Sequence, residues 1–180
     1  MKKIIYILAK GFFYAFAAFF VFIFVFSILA FAEYRLGWHI PYVEITDRAS
    51  DAYAEISLPL VDMHVGFTFT LAVIFFMWIG ILFYTTYFYN LKEFFKVFIE
   101  TKVFNAKSLK RLKIFFYINL IPLVYALGLT LFQIVNNGSF KFEEDQGVAI
   151  FHLFVAFLVY LYMDIIKKGK RIQEENDLTI

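Results

Sequence analysis

Cysteine is absent from this chain of 180 residues. Disulfides, thiolate metal centres and cysteine nucleophiles are therefore excluded. Proline is nearly absent as well, at 3 residues, and glycine is held to 8. No Pro- or Gly-rich linker, low-complexity tract or internal repeat divides the chain, so one domain over 1–180 is expected. Charge is missing where it matters most. The segments 11–32, 63–91, 114–140 and 146–163 contain no Asp, Glu, Lys or Arg. An uncharged apolar run of about 18 residues or more has the length to cross a hydrocarbon core as one helix. Catalytic signatures are lacking too: no phosphate loop, nucleophile elbow or triad pattern can be read. A non-enzymatic protein without a cofactor is expected.

What is present fits lipid rather than water. The composition is 62% hydrophobic with mean hydropathy +0.74. A soluble domain of this size could not hide so much apolar surface in one core. Formal net charge is only +2, which gives no ground for direct nucleic-acid binding. The distribution of charge is more telling. The segment 1–10 carries Lys2, Lys3 and Lys10, and 92–113 carries seven bases against Glu93 and Glu100. By contrast 33–62 has two bases against six acids, and 141–145 one against three. The bias of Lys and Arg towards cytoplasmic loops then places both termini and the central loop inside. Tyr34, Trp38 and Tyr42 stand beyond helix 1 as outer interfacial anchors. Tyr84, Tyr87, Tyr89, Tyr160 and Tyr162 stand at the inner ends of helices 2 and 4. The first helix ends in a signal-peptide-like Ala30-Phe31-Ala32. Its charge-free run exceeds the usual apolar region of about 7–15 residues, so a retained anchor is expected.

The fold expected is an all-α membrane protein: a four-helix transmembrane bundle, up-down-up-down, N-in/C-in. Its helices would cover about 4–32, 62–98, 108–135 and 146–168, with an outer loop 33–61 and a cytoplasmic tail 169–180. Gly11, Ala15 and Ala18 form a small-residue stripe on helix 1, and Gly66, Val73 and Gly80 share a face of helix 2. Residues 46–51 (TDRASD) could cap a short surface helix in the outer loop. Phe94, Phe95 and Phe98 with Leu91 extend helix 2 amphipathically into the interface. Asn105 is a plausible N-cap for helix 3, and Asn136 to Ser139 (NNGS) is a turn signal.

Polar groups inside a membrane are functional suspects. Asn119 is the foremost one, with Pro122 three residues on, where the missing amide predicts a kink. Interhelical hydrogen bonding is the leading role for Asn119, and substrate contact the alternative. Asp62, His64 and His152 fall at the outer ends of helices 2 and 4. A His, His, carboxylate set could hold zinc, but no spacing supports it, and a hydrogen-bonded cluster is the preferred reading. On the cytoplasmic face, the basic group Lys107, Lys110 and Arg111 lies beside the membrane and can attract anionic lipid. The acidic block Glu174, Glu175 and Asp177 ends on Leu178 and Ile180. The tail is expected to fold back as a latch, with Leu178 and Ile180 among Phe94, Phe95 and Phe98.

The closing segment 169–180 (GKRIQEENDLTI) resembles the terminal motif of a bacterial family catalogued as domain of unknown function 2975. The stretch 103–113 (VFNAKSLKRLK) followed by 114–120 (IFFYINL) is similar to that family's central loop and third helix. Ile172 stands where the family more often has Leu, and the resemblance does not extend to 33–62. The resemblance implies a small bacterial inner-membrane protein with no established activity. Its members are often encoded beside a small helix-turn-helix regulator, which would make such a regulator a cytoplasmic partner. The expected function is a regulatory or interaction protein. The alternative is a small transporter or channel subunit that works as a homo-oligomer.

Overall fold

A computed structural model describes residues 2–48, 51–58, 63–100, 105–139, 141–142 and 144–177. The elements run α1 (Lys2–Leu36), β1 (Val43–Arg48), β2 (Asp51–Ser57), β3 (His64–Thr68), α2 (Leu71–Val97), α3 (Ala106–Asn137) and α4 (Glu144–Asp177). All four helices are long and apolar enough to cross a membrane. Their outward residues include Ile7, Leu8, Phe76, Val124, Leu131 and Phe157, all more than half exposed. A surface of this kind needs lipid against it. This is the layout of a multi-pass membrane protein. Contacts group the chain into two units, Lys10–Phe88 and Met1–Ala9 with Tyr89–Ile180.

Within Lys10–Phe88, part of the expected outer loop with its short helix, together with the stretch expected to begin helix 2, forms instead a three-stranded antiparallel sheet, ordered β1-β2-β3. The reason is alternation. Val43 faces Ile56, which faces Val65; Ile45 faces Ala54, which faces Phe67. These two cross-strand rows put every apolar residue on one side. That side joins Ile23 and Ala30 of α1 and Ile74 of α2 in one buried cluster. Helix 2 accordingly starts at Leu71 rather than 62, with Thr70 Oγ1 accepting from the Val73 amide at 3.4 Å. Gly66, expected on a helical face with Gly80, lies in β3 under the Tyr53 ring, and a Cβ there would collide with it.

Helix α1 is closed by Gly37, whose φ of 67° is left-handed and whose amide donates to the Glu33 carbonyl at 2.9 Å. Its packed side is not the small-residue stripe, for Gly11, Ala15 and Ala18 are exposed. The buried positions of α1 are Ala9, Ile23, Ser27 and Ala30. Trp78 Nε1 donates to Ser27 Oγ at 2.8 Å, while that hydroxyl donates to the Phe24 carbonyl at 3.0 Å. Phe88 lies 4.4 Å from Phe16, centroid to centroid.

In the other unit, α3 and α4 pack along matching seams. Buried positions on α3 are Ser108, Leu112, Phe115, Asn119 and Ala126. Those on α4 are Gln146, Ala149, His152, Ala156, Val159, Met163 and Ile166. Both sets step by three and four, with one full heptad from Asn119 to Ala126, the spacing of knobs-into-holes packing, and the alanines allow close approach. Asn105 is the N-cap of α3 as expected, accepting from the Ser108 amide at 2.8 Å. Gly138, at φ 67°, closes α3 onto the Ile134 carbonyl. Helix α3 runs unbroken through Pro122.

Helix α4 does not stop near 168. It continues to Asp177, so residues 169–177 are helix rather than a tail that folds back. Pairs one turn apart support the continuation: Asp164–Lys168, Lys170–Glu174 and Arg171–Glu175, at 2.8, 3.2 and 2.8 Å. Leu178 and Ile180 lie outside the described residues.

Candidate functional site

Two polar residues occupy the middle of the α3–α4 seam. Asn119 is fully buried and His152 is 3% exposed. Asn119 Nδ2 donates to the Phe115 carbonyl one turn back at 2.8 Å, and Asn119 Oδ1 lies 2.9 Å from His152 Nδ1. These contacts fix the ring's chemistry. The amide nitrogen is committed to a carbonyl, so the amide oxygen must be the acceptor towards histidine. His152 therefore carries its proton on Nδ1 when neutral, which makes Nε2 the basic nitrogen. Pro122 sits within the same stretch and brings no amide to the Ile118 carbonyl.

The seam continues polar towards the α3–α4 connection. Thr130 Oγ1 donates to the Ala126 carbonyl at 2.8 Å, and Gln146 Nε2 approaches Thr130 Oγ1 at 3.5 Å. Sequence reasoning reached Asn119 but did not join it to His152, which it placed at the outer end of helix 4 beside Asp62 and His64. The heptad register was the usable signal: 112, 115, 119 and 126 on one helix, 149, 152, 156 and 159 on the other. Of that outer group, Asp62 lies outside the described residues. His64 is on β3, where its Nδ1 meets Ser57 Oγ at 3.0 Å and Glu55 Oε1 at 3.3 Å. Both contacts converge on one ring nitrogen, so they do not form the serine–histidine–carboxylate relay that needs both. Among the described residues no group of three His, Cys, Asp or Glu could hold a metal ion.

At the basic end, Arg111 is only 12% exposed and is clamped between two carboxylates of the extended α2 region. Its Nε meets Glu93 Oε2 at 3.0 Å and its Nη1 donates to Glu100 Oε1 at 2.6 Å. That bond and the guanidinium's charge hold the Glu100 carboxyl below the usual carboxylate range. Arg111 therefore ties the unit together, while Lys107 and Lys110 are exposed. Around the clamp, Phe94 packs on Phe115 at 5.1 Å and Phe98 stacks on Tyr162 at 4.7 Å. Glu174 and Glu175 are exposed on α4 and paired along it. The side chain of Asp177 is not among those described.

No curated protein and no solved structure matches the chain. The family described as protein of unknown function DUF2975 matches residues 41–180, which takes in the whole sheet and α2 to α4. That span includes most of the loop 33–62, to which the resemblance read from 103–120 and 169–180 does not extend, and with it most of the molecule. The chain belongs to the DUF2975 family.

Proposed function

We propose that this chain is a non-enzymatic interaction protein of the bacterial inner membrane. Its four helices cross as an up-down-up-down bundle with both termini in the cytoplasm. There it presents the α4 extension and the basic start of α3 to a partner. The observation that supports this best is the length of α4, 34 residues. At 1.5 Å per residue that is about 51 Å, against a hydrocarbon core of about 30 Å. The charge-free part ends at Met163, and the remainder carries exposed Lys167, Lys168, Lys170, Arg171, Glu174 and Glu175. A helix already formed loses little entropy on binding, which suits a recognition element. A small helix-turn-helix regulator is the partner class to which the family resemblance points.

A second reading has its own support. The Asn119–His152 pair places an ionisable side chain inside a membrane helix pair, the kind of group that marks substrate and ion pathways in small transporters and channel subunits.

Two measurements test the first reading. Single cysteines are simple to place because the chain has none. An impermeant thiol reagent should label Glu44→Cys in intact cells, and Lys107→Cys or Glu174→Cys only after permeabilisation. The reverse pattern would overturn the orientation. Removing residues 170–180 should lower recovery of the cytoplasmic partner about tenfold or more in a pull-down from crosslinked cells. Equal recovery with and without them would dismiss the extension as a recognition element.

A further inference from the structure

The first turns of α1, the last turn of α2 and the residues that follow it enclose a groove of about 370 Å³ lined by Lys3, Tyr6, Ile7, Lys96, Ile99 and Glu100. All six belong to one unit. From this groove we infer a binding site for one anionic phospholipid, with its phosphodiester between Lys3 and Lys96 and an acyl chain along Ile7.

Three features favour that occupant. The first is depth. The charge-free stretches begin at Gly11 and end at Leu91, so Lys96 stands five residues beyond the apolar boundary. At 1.5 Å per residue this is about 7 Å, the level of headgroups. The second is charge. Glu100 would oppose a phosphate, but its carboxylate is committed to Arg111 Nη1 at 2.6 Å, leaving the two lysines to set the sign of the groove. The third is the wall. Ile7 and Ile99 line the groove, and Ile4, Ile7 and Leu8 are exposed along α1. That continues an apolar track towards the membrane, which a lipid uses and a free phosphate does not. Tyr6 adds a phenol at the level where amphipathic rings settle. The inference goes beyond the partner reading and does not depend on it, because it needs only that Lys3 and Lys96 lie at the bilayer surface.

The test is native mass spectrometry of the full chain released from detergent, titrated with phosphatidylglycerol and with phosphatidylcholine of the same acyl chains. The wild type should retain one phosphatidylglycerol in clear preference to phosphatidylcholine. Lys3→Gln with Lys96→Gln should weaken that retention about 30-fold, since each basic residue at an anionic surface is worth about a fivefold factor. Lys3→Arg with Lys96→Arg should retain it. Lys168→Gln with Lys170→Gln, which removes two exposed lysines elsewhere, should leave it unchanged. Inorganic phosphate at millimolar concentration should not displace the lipid. Equal retention of the two lipids overturns the site. So does an equal loss in the Lys168/Lys170 control, which would reduce the effect to general surface charge. Displacement by phosphate alone would make it an anion site and not a lipid site. If the glutamine pair does not fold, the wild-type lipid preference and the arginine pair still decide.

Discussion

Asn119→Leu and His152→Leu should each destabilise the protein by about 1–3 kcal/mol, and the double substitution by clearly less than their sum. Each single change leaves a buried polar group without the partner it has now, and that desolvation is the main cost. With both removed, two leucines of adequate volume fill the seam and nothing polar is stranded. Coupling between hydrogen-bonded side chains inside membrane helices averages about 0.6 kcal/mol and reaches about 1.7. The 2.9 Å contact between fully buried partners places this pair in the upper part of that range, near 1 kcal/mol. Reversible unfolding in mixed micelles, followed for the wild type, both singles and the double, closes the cycle. Strict additivity would mean that the two side chains are independently packed and that the bond contributes nothing. His152→Gln serves as a further control, because its amide can still donate to Asn119 Oδ1 and should recover part of the loss.

The spans were legible because charge is so costly in lipid that its absence marks them. Each of the four charge-free stretches contains or overlaps one helix. The sheet was hidden by the same rule. Residues 63–91 are uncharged throughout, so hydropathy alone gives one segment, although Val65 and Phe67 alternate with His64, Gly66 and Thr68 at a period of two. Only at Leu71 does the period change to that of a helix. In β1 and β2 the alternation of Val43 with Ile45 and of Ala54 with Ile56 was equally present, but it was masked by the turn- and cap-forming residues of 46–51. The extension of α4 was read as a tail because its composition is polar. Its stability comes from i,i+4 pairing, which composition does not register. Asn119 was legible as a polar exception, whereas His152 required the register between two helices. Lys107, Lys110 and Arg111 were counted together as inside-facing charge. Counting cannot distinguish two exposed lysines from an arginine already held by Glu93, on the last turns of α2, and Glu100, just past its end at Val97.

Arg111→Ala should cost about 2 kcal/mol and remove an acid-sensitive part of the stability. The guanidinium reaches two carboxylates with two different nitrogens, Nε to Glu93 and Nη1 to Glu100. Removing it leaves both acids facing each other across a partly buried space. Breaking a fully buried pair costs about 3–5 kcal/mol. Here Glu93 and Glu100 are 18% and 27% exposed, so water recovers part of that, and Lys92 remains 3.7 Å from Glu93. Arg111→Lys should be an incomplete substitute, because one ammonium cannot reproduce a planar fork with two separated donors. The pH dependence follows from Glu100. Its carboxyl is held below the ordinary range chiefly by the hydrogen bond from Arg111. A group depressed in the folded state contributes its full stability above its unfolded value and loses it as pH falls through the folded value. Wild-type stability should therefore be steady near neutrality and decline below about pH 4.3, the ordinary glutamate value. In Arg111→Ala and Glu100→Gln that share of the decline should be absent. An acid limb of the same depth in the wild type and in both variants would show that the clamp contributes nothing through Glu100. If only Arg111→Ala lost stability at neutral pH, with Glu100→Gln unaffected, the holding force would lie with Glu93 alone.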